Sequence, residues 1–337
     1  MNHRTTLALS STLVAALVGG LAAGCGSGVA DDSTPAAASG AYPVTVESCG
    51  TKLTVDHAPR RVVGLMPSQT ELLVRLGLAD RLVGQAQTAT HDLPADVAAK
   101  VSGVPVLSTT TPPAREDLLA VAPDVVVSPT MYEFTAEQGF ATLDQLRAAG
   151  AVGYVAAGGC PDRRTTATVD DLFTDITALG TVFDAADEAE ALAEEGRSRL
   201  AAVAKAIDGK ERPSVAQLYV EGSSVSAIGA GVEHDIIRVA GGDNLFSPDE
   251  PLFDDFFAAV VSPEEVAARN PDAIVFGVTG PAHEKQVRAY LERTFPRVTA
   301  VAEDRLVAVP ASDMYPGTLG NISAVERIAA ALYPDSF

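Results

Sequence analysis

One unit occurs twice in this chain, and it constrains the fold more than any other feature. The first copy is Arg115-Glu116-Asp117-Leu118-Leu119-Ala120-Val121-Ala122-Pro123-Asp124-Val125-Val126-Val127. The second, about 148 residues on, is Pro263-Glu264-Glu265-Val266-Ala267-Ala268-Arg269-Asn270-Pro271-Asp272-Ala273-Ile274-Val275. Each reads as a short helix opened by acids, a Pro-Asp breaker, and an apolar strand. Acids suit the positive end of the helix dipole, and proline ends the helix. A repeat of this size implies two similar lobes.

The surrounding segments extend the pattern. Arg61 to Met66 reads as a buried strand and Pro67-Ser68-Gln69-Thr70 as a turn. Ser68 or Thr70 is expected to cap a helix from Glu71 to Leu76 that stops at Gly77, and Leu82-Val83-Gly84 begins the next strand. Strand, helix, strand is the unit of a parallel sheet. Asp170 to Leu179 is amphipathic and interrupted by Gly180. Asp184 to Ile207 then predicts a rod of about 36 Å, at about 1.5 Å per residue. Strands follow at Val215–Val220 and Arg305–Val309, and helices at His234–Ala240, Val287–Phe295 and Ile322–Leu332.

The first residues hold Arg4 and no acid, then an apolar run from Leu7 to Val18 and Leu21-Ala22-Ala23-Gly24-Cys25. This describes a signal peptide over 1–24. The placing of Cys25 resembles the lipobox of bacterial lipoproteins, with Ala22 where the pattern usually has Leu. Residues 25–40 read as a flexible tether. The whole chain carries 24 basic and 44 acidic residues. Such acidity argues against nucleic acid and against charge-driven adhesion to anionic lipid. With Cys25 lipidated, Cys49 and Cys160 remain; an oxidising compartment favours a disulfide, two separate buried thiols being the alternative.

In this order, the segments resemble the ABC-transporter binding proteins for iron–siderophores, haem and cobalamin. The carriers are Pro59-Arg60-Arg61-Val62-Val63, Ser68-Gln69-Thr70-Glu71-Leu72-Leu73 and Leu76-Gly77-Leu78-Ala79-Asp80. The two Pro-Asp units, Ala240-Gly241-Gly242-Asp243-Asn244-Leu245-Phe246 and Tyr333-Pro334-Asp335 complete them. The resemblance covers nearly all of 41–337. It implies an α/β fold of two Rossmann-like lobes with parallel-type sheets, joined by a single long rigid helix, with the ligand cleft between lobes. The expected division is an N-terminal lobe over 41–183, the interlobe helix over 184–208 and a C-terminal lobe over 209–337. It further implies that Glu116 and Glu264 dock onto arginines of the permease; the alternative is that both only stabilise their helix starts. A monomer, held to the outer face of the cytoplasmic membrane by lipid alone, is expected.

Cleft residues should sit on loops after strand ends. In the first lobe these are Ser68, Gln69, Gln85, Thr109, Met131, Tyr132 and Phe134. In the second they are Tyr219, Glu221, His234, Phe253, Thr279, Asp313 and Tyr315. Only 5% of residues are aromatic and none is Trp, so Tyr132-Glu133-Phe134 within one loop stands out. Aromatic beside polar side chains suits a large, partly apolar ligand. An Fe(III)-siderophore is the expected ligand, with haem, cobalamin, a bare metal ion or a transport-inactive scaffold as alternatives. No resident cofactor and no catalytic group is expected. His91-Asp92, Glu233-His234-Asp235 and His283-Glu284 hold metal-ligand types in no known zinc or manganese spacing. There is no Gly-x-Ser-x-Gly elbow and no Walker loop, and Gly229-Ala230-Gly231 lacks the third glycine of a dinucleotide turn.

Overall fold

The computed structural model describes residues 42–337. The expected signal peptide, Cys25 and the tether lie outside the described residues. The chain enters through a hairpin, β1 (Val44–Ser48) and β2 (Thr51–Val55). Its two-residue loop, Cys49-Gly50, has positive φ at both positions, as the tight I′-type hairpin turn requires.

The first sheet is parallel throughout. It is built from β3 (Val62–Gly64), β4 (Leu82–Gln85), β5 (Val125–Ser128) and β6 (Val152–Val155) in the order β4-β3-β5-β6. Helices α1 (Pro67–Arg75), α2 (Ala95–Val101), α3 (Arg115–Ala120) and α4 (Leu143–Ala148) accompany these strands. The expected cap of α1 is corrected. The helix begins at Pro67 with Met66 as its uncapped boundary residue. Proline presets φ at the first helical position and lacks the N–H that a cap would satisfy. Ser68 instead hydrogen-bonds Gln69, while the Thr70 hydroxyl is buried without a partner.

Two packed helices follow, α5 (Asp171–Phe183) and α6 (Ala186–Ala206). Gly180 does not interrupt α5, which runs through it. A Cβ there would stand 2.5 Å from the Ala189 Cβ, so the glycine lets α5 and α6 approach. Gly196 does the same under Phe173 and Ile322. One neighbour lies on α5, directly before α6 in the chain, and the other near the chain's C-terminal end.

The second sheet comprises β7 (Ser214–Glu221), β8 (Ser224–Ile228), β9 (Asp243–Asn244), β10 (Ala258–Val260), β11 (Ala273–Val278) and β12 (Leu306–Pro310). Its order is β10-β8-β7-β11-β12, with β9 also pairing β7. Here β7, β11, β12 and β9 are parallel, whereas β8 and β10 run antiparallel at one edge. Helices α7 (Gly231–Val239), α8 (Pro263–Arg269), α9 (Pro281–Thr294), α10 (Thr299–Ala302) and α11 (Gly320–Leu332) complete the lobe. The repeated unit therefore appears as α3–β5 and α8–β11. In each copy the aspartate after proline receives backbone N–H groups: Asp124 from Arg60 and Arg61, Asp272 from Ser214. Apolar side chains fill separate cores around the two sheets. No helix among the described residues is long and apolar enough to cross a membrane.

Candidate functional site

The loops following β5 and β6 in the first lobe meet β7, α7 and the loop after β12 in the second. Beyond β5, Pro129 and Thr130 lead into a turn carrying Tyr132 and Glu133. Gly159 supports that turn from behind, since a Cβ there would stand 1.8 Å from the Pro129 carbonyl oxygen. After β6, the strap from Arg163 to Val169 crosses to the second lobe. The Thr165 carbonyl accepts the Gly231 N–H at 3.0 Å, and the Val169 N–H donates to Asp235 at 2.9 Å. Deeper in the junction, the Gln69 side-chain amide donates to the Gly317 carbonyl at 3.1 Å.

Tyr315 marks where these elements converge. Burial raises its hydroxyl above the ordinary phenol value; Tyr219, Glu233 and Glu133 push the same way, and Arg164 opposes them. Those neighbours come from both lobes. Three tyrosines on these elements remain open to solvent: Tyr132 at 52%, Tyr219 at 39% and Tyr315 at 37% exposure. Phe257 lies beneath the Arg164 guanidinium, 3.6 Å from ring centre to carbon, and exposed Phe256 stands beside it. Exposed aromatic side chains gathered in this way make the junction a candidate binding surface.

The charges here are committed. Arg164 makes a two-pronged ion pair with Glu233, at 2.9 and 2.5 Å. Glu133 is buried and accepts hydrogen bonds from the Ser128 and Thr130 hydroxyls, with no ion-pair partner among the described residues.

The other candidates divide clearly. Phe134 and Phe253 are core residues: Phe134 packs in the first lobe, and Phe253 lies under Gly229 in the second. Both are apolar rings that the fold needs to fill its interior, so neither offers surface to a ligand. Met131 packs against the first-lobe core and borders the hollow beside Cys49. Ser68 and Gln69 are buried at the lobe junction, and Gln85 spends its amide on the Val101 and Val104 carbonyls. Thr109 and Glu221 are exposed; His234 lies half-buried within hydrogen-bonding distance of Asn244. Thr279 and Asp313 line a separate cavity of about 680 Å³ with His91, Asp92, Glu284 and Arg288. Burial pushes Asp313 up to about 6 and holds His91 and His234 below the ordinary imidazole value. Among the described residues no three His, Cys, Asp or Glu side chains converge as metal ligands.

Arg164, Glu233, Phe256 and Phe257 were not legible as site residues, although two signals existed. Adjacent phenylalanines are conspicuous in a chain poor in aromatics, and Arg163-Arg164 follows a strand. The two remaining expectations lie away from the cleft. Glu116 and Glu264 are exposed in the first turns of α3 and α8, Glu116 in contact with Arg115. Cys49 and Cys160 stand with Cα atoms 5.1 Å apart and sulfurs at bonding distance.

Two α/β lobes, a helix pair between them in the chain and an aromatic-lined junction are the architecture of a two-lobed substrate-binding protein. Residues 62–312 match the periplasmic binding protein family, and the chain belongs to that family. It is 26% identical over 300 residues to a cobalamin-binding protein of Halobacterium salinarum, spanning 87% of this chain and 74% of that one. It is 25% identical over 328 residues to the uncharacterised ABC transporter substrate-binding lipoprotein YvrC of Bacillus subtilis, spanning 94% of each. Among solved structures, an ABC-type Fe3+-hydroxamate transport system protein from Saccharomonospora viridis is 26% identical with a TM-score of 0.72. That match covers 86% of this chain and 99% of the other.

Proposed function

We propose that this protein captures a corrinoid of the cobalamin class in the interlobe cleft and delivers it to an ABC importer. The observation that carries the reading is the cleft's surface. It presents tyrosines from both lobes, while the guanidinium beside them, Arg164, is already paired. A corrin offers a broad apolar face with uncharged amides at its rim, which tyrosine hydroxyls and rings can meet without a free charge. The Halobacterium salinarum relative, a cobalamin-binding protein, supports the choice. A neutral ferric hydroxamate is the second reading, favoured by the Saccharomonospora viridis structure. Haem fits less well, because its propionates would meet Glu133 and Glu233.

Thermal unfolding of residues 41–337 against cyanocobalamin, a neutral ferric hydroxamate, haem and bare divalent metals tests this. A ligand at about 100 times its dissociation constant adds about 2.7 kcal/mol. Cyanocobalamin is expected to give that stabilisation. A shift with the hydroxamate alone moves the substrate to the iron chelates, and no shift with either removes the reading.

Delivery adds two expectations. Glu116 and Glu264 occupy equivalent places in the two copies of the repeat, which supports a symmetric pair of contacts to the permease. Glu116→Ala with Glu264→Ala should abolish uptake and leave ligand affinity intact; unchanged uptake rejects the docking role. Residues 184–208 act in this reading as the stiff link between lobes 41–183 and 209–337, so delivery proceeds with little hinge closure. Cys25 is the proposed lipid anchor, supported by the lipoprotein relative in Bacillus subtilis. Cys25→Ala should move the protein from the membrane fraction to the soluble one, and retention would reject the anchor.

A further inference from the structure

Among the charges felt by Tyr315, the guanidinium is that of Arg164, and two carboxylates, Glu133 and Glu233, accompany it. Arg164 is fixed on two sides. Glu233 takes both prongs of its fork, and the Phe257 ring underlies its plane. The pair is largely withdrawn from water, at 16% and 5% side-chain exposure. Two of the guanidinium's five N–H donors are spent on Glu233, and its positive charge is matched at contact distance by that carboxylate. Glu233 also stands in the first turn of α7, a helix of nine residues, and so places a carboxylate near the helix end that would otherwise favour an anion.

We infer that Glu233 is a specificity-determining residue: by committing Arg164 it keeps anionic chelates out of the cleft. The inference rests on the interlobe cleft being the ligand site. Arg164 is the group an anionic ligand would need. Glu233 cancels it, and Glu133, without an ion-pair partner among the described residues, adds a second carboxylate to the groups around Tyr315. An anionic chelate entering the native cleft must therefore displace Glu233, or lie against two carboxylates in a partly desolvated setting where repulsion is weakly screened. Neutral macrocycles meet no such barrier. Selectivity here comes from what the cleft repels as well as from what it holds.

The test is Glu233→Gln in the protein spanning 41–337. Glutamine keeps the shape and still accepts from Arg164, so the strap stays tied while the negative charge is gone. Affinities are measured for a trianionic ferric tris-catecholate and for cyanocobalamin. E233Q should bind the tris-catecholate roughly tenfold or more tightly than the native protein, and the gain should shrink as salt is added. Cyanocobalamin carries no net charge, so the readout is the ratio of the two affinities, which should move toward the tris-catecholate by roughly tenfold in E233Q. Glu233→Asp keeps the charge and loosens the packing, so it should show no gain; an equal gain there would assign the effect to loosening and overturn the inference. Arg164→Met combined with E233Q should abolish the gain; persistence without the guanidinium also overturns it. So does an unchanged tris-catecholate affinity in E233Q. The two readings fail separately. Loss of the corrinoid reading would be seen as no cyanocobalamin binding to the native protein, whereas Glu233 is judged on the tris-catecholate.

Discussion

Replacing Cys49 and Cys160 by serine together should destabilise the protein by about 4–5 kcal/mol. The two positions are 111 residues apart. In the chain-entropy description a cross-link closing a loop of about 100 residues removes about 4.7 kcal/mol of freedom from the unfolded chain. Little of the loss should arise from packing, because serine nearly conserves the volume of the thiol. The bond would join the β1–β2 turn to the segment after β6, four residues before Arg164. It therefore anchors the base of the strap that crosses to α7. Denatured, unreduced protein should show no free thiol among these two, and reduction should release both. Two free thiols without reductant would show that the cysteines are separate and would remove the expected stability loss.

What was legible in the sequence follows from how local the physics is. The unit of acids, helix, Pro-Asp and strand appears twice because each part is set by neighbours within about a dozen residues. Both copies fold as α3–β5 and α8–β11. Gly180 shows the limit. A glycine in a helical pattern reads as a breaker, yet here it serves a contact with Ala189 that only the packed helices reveal. The cap of α1 fails for a related reason, since Ser68 and Thr70 have the right chemistry but Pro67 already starts the helix. The antiparallel edge of the second sheet was also missed: β8 turns back on β7 through Gly222-Ser223, a local hairpin signal that was passed over, and β10 joins β8 from farther along the chain.

The site was half legible. Tyr132, Tyr219 and Tyr315 were recognisable as aromatic residues in or after strands, and all three keep exposed surface, with Tyr219 close to Tyr315. Phe253 shares their chemistry and their kind of loop, but it turns inward to fill the second core. Orientation about a loop cannot be read from residue type. Arg164 and Glu233 are 69 residues apart and lie on different lobes. Nothing local announces that one pairs with the other.

Asp175→Asn should stabilise the protein at pH 8 by about 4 kcal/mol and leave it nearly unchanged near pH 4. Asp175 lies on α5, fully buried at the lobe junction. One carboxylate oxygen accepts the Tyr154 hydroxyl at 2.7 Å and the Ala157 N–H at 2.8 Å. The other is buried with no partner among the described residues and faces Gly317, where a Cβ would approach it to 3.1 Å. Burial pushes its pKa from 3.8 up to about 7; the two hydrogen bonds pull it down, and Asp171 adds a smaller upward push. The sign is opposite to that of a salt-bridged acid. Below about pH 4 the group is protonated in both folded and unfolded chains and costs nothing. As pH rises toward 7 the unfolded chain ionises freely while the folded one holds its proton, so stability falls. The loss levels off above the folded value, and each tenfold weakening of the acid on folding contributes about 1.4 kcal/mol to it. Asparagine stays neutral throughout, keeps an acceptor for Tyr154 and Ala157, and puts an amide where the unpartnered oxygen was. The measurement is the difference in unfolding free energy between D175N and the native protein from pH 4 to 8. Asp313 is raised by the same cause but only to about 6, so D313N should give a smaller difference that saturates earlier. A D175N difference that does not change with pH would mean that Asp175 ionises in the folded protein as easily as in the unfolded one. The buried, unpartnered oxygen would then have to be reached by water or by a donor at the seam between the lobes.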